Sequence, residues 1–90
     1  MTYRIDGVKT LTVGTTAQDV DVRCQSFLIE NISESAVIYF KEKDNDSVAC
    51  TASNGFALAA GGILDTPLCA GTLSVIASDE GADVRLLFLG

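Results

Sequence analysis

The sequence predicts an all-β fold, either a small antiparallel β-sandwich or a jelly-roll-like barrel. Short runs rich in Val, Ile, Leu, Phe and Thr recur along the 90 residues, and clusters of Gly, Asn, Asp and Ser typical of turns divide them. No long stretch carries apolar residues at the i, i+3, i+4, i+7 spacing of an amphipathic helix. The length fits one domain, which we place at residues 11–90, with residues 1–10 as an N-terminal arm or first strand.

Nine runs are predicted to be strands. They are residues 9–13, 19–23, 25–31, 36–42, 47–50, 55–59, 63–67, 72–77 and 83–89. The turn at residues 33–35 is short enough to make a hairpin of the third and fourth runs. Residues 78–81 are placed to do the same for the last two, because Gly81 can adopt positive φ at low cost.

Alternation along the strands predicts which side chains form the core, because successive residues of a strand point to opposite faces. The predicted inward-facing residues are Phe27, Ile29, Ile38, Phe40, Leu73, Val75, Ala77, Val84, Leu86 and Phe88.

The outward faces are not cleanly polar. Their large apolar or aromatic residues are Leu28, Tyr39, Ile76, Leu87 and Leu89. Apolar patches on adjoining strands mark protein interfaces, so we take these five as a candidate subunit interface. The alternative is that loops cover parts of both outer faces.

The composition also points to a protein partner. The chain is 48% apolar, which is high for a domain of this size. Its apolar runs are far shorter than the roughly 20 residues of a membrane-spanning helix, and the first ten residues lack the apolar core of a secretory signal. The simplest partner is another copy of the same chain, which would make the protein a homo-oligomer. The net charge of −6 argues against direct nucleic-acid binding, which favours a basic face.

The sequence offers little for catalysis. It has no His, which removes the commonest general base, and we expect no enzyme, no catalytic residues and no cofactor. The spacing of Cys24, Cys50 and Cys69 matches no zinc motif, and we interpret them as reduced, small hydrophobic residues of a protein assembled in a reducing cytoplasm. Residues 44–46 lack the ligand spacing of a calcium loop and are interpreted as a charged hairpin tip, so no metal site is predicted.

Several segments together resemble small virion proteins of tailed bacteriophages. They are residues 11–18, 27–31, 37–40, 54–58 and 77–90. The resemblance implies a non-enzymatic capsid decoration or cement protein that oligomerises, expected as a trimer, and stabilises the shell. The implied partner is the major capsid protein, with the polar residues 1–9 contacting the shell. The implied location is the virion, after assembly in the host cytoplasm.

Two other functions stay open beside this one. A tail-associated or fibre-associated structural protein would have the same kind of fold elsewhere on the particle. A carbohydrate-binding module would need exposed aromatic rings for sugar stacking, and the chain has no Trp and only Tyr3 and Tyr39 as tyrosines. Residues 41–46 and 65–69 depart from the virion-protein pattern, and we expect the protein to meet its own partner there.

Overall fold

The computed structural model describes residues 5–22, 26–44, 47–66 and 71–89 of the chain. These residues form eight strands and no helix, so the predicted all-β class is confirmed. The strands are β1 (Ile5–Val13), β2 (Gln18–Asp21), β3 (Ser26–Asn31), β4 (Ile38–Glu42), β5 (Phe56–Leu58), β6 (Ile63–Thr66), β7 (Thr72–Ala77) and β8 (Ala82–Leu89).

The strands lie in two four-stranded antiparallel sheets. Sheet A has the order β1-β8-β3-β6, and sheet B has the order β2-β7-β4-β5. The chain pairs its first strand with its last, β2 with β7, β3 with β6 and β4 with β5, like one long hairpin rolled into two layers. This arrangement of eight strands is the double-sheet jelly roll, and it confirms the predicted sandwich.

The two predicted hairpins are wrong. β3 lies in sheet A between β6 and β8, whereas β4 lies in sheet B between β5 and β7. The last two strands are separated in the same way, because the turn at residues 78–81 crosses from sheet B to sheet A. The two crossing connections bind each other instead: the Ser78 amide donates to the Val37 carbonyl (2.9 Å), and the Val37 amide donates to Ser78 Oγ (2.9 Å).

The predicted strand at residues 47–50 is also wrong. Ser47 has a φ of 57°, which takes the backbone out of the extended region. The Cys50 amide then donates to the side-chain Oγ of Ser74 on β7 (2.9 Å) rather than to a backbone carbonyl, as a strand residue would. Residues 47–55 therefore form an irregular connection between β4 and β5.

The core lies between the inner faces of the two sheets, where the alternation predicted it. Nine of the ten predicted residues belong to the buried cluster, and the tenth, Phe88, is partly buried against it. The Phe27 and Phe88 rings, which are cross-strand partners in sheet A, lie 6.2 Å apart. The core assignment is therefore confirmed.

One fully buried amide joins the two sheets at the end of β3. Asn31 Nδ2 donates to the carbonyls of Ala36 and Leu58, both at 2.9 Å. Its Oδ1 accepts from the Ser33 amide (3.1 Å) and from Ser33 Oγ (2.5 Å). This side chain thus fixes the β3–β4 connection to β5 of the opposite sheet.

Candidate subunit interface

The five residues predicted to form an interface lie on two opposite sides of the sandwich. Leu28, Leu87 and Leu89 are on the outer face of sheet A, where Leu28 and Leu87 are cross-strand partners. Tyr39 and Ile76 are cross-strand partners on the outer face of sheet B. All five are half-buried. The structure therefore brings them together as two groups and not as one surface.

The outer face of sheet B is covered by the protein's own chain. Residues 47–55 pass over β4 and β7. Cys50 of this segment is 1% exposed, and Ser74 of β7 beneath it has no exposed surface. Besides the bond from Cys50 to Ser74, Lys41 Nζ donates to the Val48 carbonyl (2.7 Å). On this side the structure supports the alternative in which a loop covers the outer face.

The covering segment packs closely because residue 55 is glycine. A Cβ placed on Gly55 would lie 2.9 Å from Tyr39 Cβ and would collide with Cys50 Sγ. A turn fixes this approach, with the Gly55 amide donating to the Thr51 carbonyl (3.0 Å).

Cys50 is a free thiol in this covered region. Burial raises its pKa, and the nearby Lys41 charge lowers it by less. The thiol form therefore predominates, as expected of the small hydrophobic residue that the sequence predicted. Cys24 and Cys69 lie outside the described residues.

The outer face of sheet A has no such cover among the described residues. One row across the strands runs Val8, Leu87, Leu28 and Asp65, and the next row runs Thr10, Arg85, Glu30 and Ile63. Six of these residues line an open groove of about 210 Å³, and we call them the sheet A patch: Val8, Leu28, Glu30, Ile63, Arg85 and Leu87.

Two members of the sheet A patch were missed by the sequence analysis. Val8 is 58% exposed and Ile63 is 60% exposed, and both belong to edge strands. Val8 lies one residue before the first predicted strand, residues 9–13, so the alternation of that strand assigns it to no face. In a strand, Ile63 shares a face with Asp65, two residues further on. That polar residue was the available signal that Ile63 points outward.

The sheet A patch also carries two opposite charges. Glu30 on β3 and Arg85 on β8 are cross-strand partners in the row beside Leu28 and Leu87. Arg85 is exposed and Glu30 is half-buried. The patch therefore presents a positive and a negative group side by side next to apolar side chains.

The edges of the sheets are poorly suited to pairing with another chain. Lys9 is the cross-strand partner of the fully buried Leu86, so it lies on the inward side of edge strand β1. Inward-pointing charges and bulges protect edges, and β1 has a register shift between Ile5 and Gly7. The other edge strands, β2, β5 and β6, have three or four residues each. The outer face of sheet A is therefore a better contact surface than any edge.

The described residues contain no group of three metal-ligating side chains. Asp44, from the segment considered for calcium, uses its carboxylate to hold the start of β7: Oδ2 accepts from the Gly71 amide (2.7 Å) and Oδ1 from the Thr72 amide (3.2 Å). Residues 45 and 46 lie outside the described part of the chain. Over the same part, no helix is present that could cross a membrane.

Comparison with known proteins finds structural likeness but no match in sequence. No family model and no curated protein matches the chain. A solved chain of the Bacillus endospore appendages, which form a family of disulfide-linked pili, is similar with a TM-score of 0.49 and 13% identity. The match covers 98% of this chain and 84% of that chain.

Proposed function

We propose that this protein is a non-enzymatic structural subunit of a bacteriophage virion, which packs against other subunits through the sheet A patch. The observation that carries the proposal is the contrast between the two outer faces. Sheet B is covered by residues 47–55, whereas sheet A leaves Val8 and Ile63 each more than half exposed. Apolar patches of this kind mark protein interfaces.

The setting in the virion comes from the resemblance of the strand and turn segments to small phage virion proteins. Within that setting we favour a capsid decoration protein, whose partner would be the major capsid protein. The fold is compatible, since double-sheet jelly rolls are used in viral capsids, although the same fold also serves unrelated functions.

A carbohydrate-binding role has less support. Phe56 is 58% exposed, but its ring lies 5.7 Å from the Phe40 ring at the sheet edge. Tyr39 is half-buried against Gly55. The two rings lie on opposite faces of sheet B, so they do not form one shared platform on which a sugar could stack.

Binding to empty shells tests the proposal. Shells assembled from the major capsid protein of the same genome are mixed with the purified protein, and the bound fraction is measured by sedimentation. We expect saturable binding that Val8→Asp weakens at least about tenfold, because the added charge would be buried where neighbouring subunits of the shell-binding assembly pack against each other. Val48→Asp is the matched control: that valine is 48% exposed, on the opposite side of the sandwich.

Two results would contradict the proposal. One is the absence of binding together with the absence of the protein from purified particles, as judged by mass spectrometry. The other is equal loss of binding in the two valine variants, which would show that the sheet A patch is not the contact between subunits. Finding the protein in tails rather than heads would select the tail-associated alternative.

A further inference from the structure

We infer that the partner of the sheet A patch is a second copy of this chain, packed face to face about a two-fold axis. This inference rests on the proposed function, because it names the partner of the same patch. The axis runs parallel to the strands, between β8 and β3. Each copy then presents the same surface to the other, as a two-fold contact requires.

Charge complementarity places the axis. Rotation about a line between the adjacent strands β8 and β3 lays β8 of one copy over β3 of the other. Arg85 of each copy then faces Glu30 of its partner, because the two residues share one cross-strand row. Leu87 likewise faces Leu28. The contact contains two ion pairs beside an apolar centre, and the opposite charges of one patch satisfy each other across the axis.

The size of the face fits a weak dimer. The four strands of sheet A have nine, eight, six and four residues, and at a spacing of about 4.8 Å with a rise of roughly 3.4 Å per residue they give a face of roughly 440 Å² per copy. Two faces bury on the order of 900 Å² in total, which lies in the range of weak, transient interfaces. A two-fold contact closes at two copies, in contrast to the trimer expected from the sequence.

The mass of the purified protein is the first measurement. Sedimentation equilibrium at about 5–500 µM, a range that brackets weak to moderate dimers, should give twice the 9.4 kDa of one chain. A monomer over the whole range, or a trimer, overturns the inference.

Charge reversal tests the axis itself. Arg85→Glu and Glu30→Arg each place like charges across the axis, and each variant alone should dimerise at least about 100-fold more weakly than the wild type. Mixed one to one, the two variants should form a heterodimer, because both cross-axis pairs again join opposite charges. Within each variant chain residues 30 and 85 still carry like charges, so recovery on mixing reports the contact between copies.

Two further variants serve as controls. Glu34→Arg makes the same charge change at an exposed position in the β3–β4 connection and should dimerise like the wild type. Far-UV circular dichroism shows whether the charge-reversal variants fold. If they do not, substitutions at Val8 test the contact instead, because this side chain is 58% exposed and a charge there is tolerated by the isolated fold. The axis places Val8 opposite the partner's Asp65, so Val8→Asp should weaken the dimer at least about tenfold more than Val8→Lys.

The outcomes separate this inference from the proposed function. Failure of the mixed variants to associate, or equal dimerisation of Val8→Asp and Val8→Lys, overturns the two-fold contact. A wild-type monomer that still binds empty shells overturns the contact and leaves the virion role standing. A dimer that fails to bind shells and is missing from particles upholds the contact and contradicts the virion role.

Discussion

Replacing Asn31 with alanine tests whether the buried amide holds the two sheets together. The side chain has no exposed surface and takes part in four hydrogen bonds, two donated and two accepted. Alanine removes all four and leaves the carbonyls of Ala36 and Leu58 without their amide donor in a buried site. We expect Asn31→Ala to be among the most destabilising single substitutions in the domain.

The loss in the free energy of unfolding depends on the groups that Asn31→Ala leaves without a hydrogen-bond partner. A typical hydrogen bond contributes about 1 kcal/mol net, and a buried group left unpaired costs about 1–3 kcal/mol. The Ser33 groups can turn to water because they are only partly buried, and Ser33 Oγ also reaches the Ala36 carbonyl at 3.1 Å. The loss in the free energy of unfolding is therefore about 2–4 kcal/mol, a large share of the roughly 5–13 kcal/mol expected for a domain of this length.

Urea unfolding followed by far-UV circular dichroism measures this loss, since the chain has no Trp to report by fluorescence. Asn54→Ala is the matched control, because Asn54 is exposed and makes comparable bonds to the Thr51 amide (2.6 Å) and the Ala49 carbonyl (3.2 Å). We expect the control to lose about 1 kcal/mol or less. Equal losses in the two variants would refute the reasoning that burial makes the Asn31 bonds costly to remove.

Three further predictions concern the outer cover and the turns. Gly55→Ala should lower the free energy of unfolding by about 1–3 kcal/mol through overpacking, whereas Gly7→Ala, with no atom within 4 Å of the new Cβ, should change it little. In a variant whose other two cysteines are alanine, the Cys50 thiol should react with a disulfide reagent at least about tenfold more slowly in the native protein than in urea, because its pKa is raised and it is buried. Hydrogen bonds from Thr15 lower the pKa of Glu80, so this carboxylate stabilises the fold above its unfolded pKa and loses that effect as the pH falls through the lowered value. Glu80→Gln should therefore show a smaller fall in stability than the wild type on acidification below about pH 4.3.

Local pattern was enough to predict the core but not the pairing of strands. The two-residue period of a strand places Leu86 inward whatever its neighbours are, so alternation alone identified the buried residues. Pairing depends on distant parts of the chain: Phe27 lies beside Phe88, and nothing in the short turn at residues 33–35 indicates it. That turn lacks the Asn-Gly or Asp-Gly signal of a tight hairpin, and its length allows a crossing between sheets equally well.

Two of the five residues predicted for a subunit interface lie in the sheet A patch, and alternation is again the reason. Leu28 and Leu87 were identified because each stands on the outward side of a clearly alternating strand. Nothing in the sequence indicated that Tyr39 would lie under a loop, because that contact depends on the fit of Gly55 against it.

The topology explains why one outer face is covered and the other is not. β4 and β5 are consecutive strands within sheet B, and their connection begins and ends at that sheet, so residues 47–55 can fold back over its outer face. Sheet A contains no two consecutive strands, so each strand of this sheet is connected along the chain to a strand of sheet B. Among the described residues, no connection therefore begins and ends at sheet A as residues 47–55 do at sheet B. A second copy would do for sheet A what residues 47–55 do for sheet B, and its own sheet A patch would be buried in the same contact.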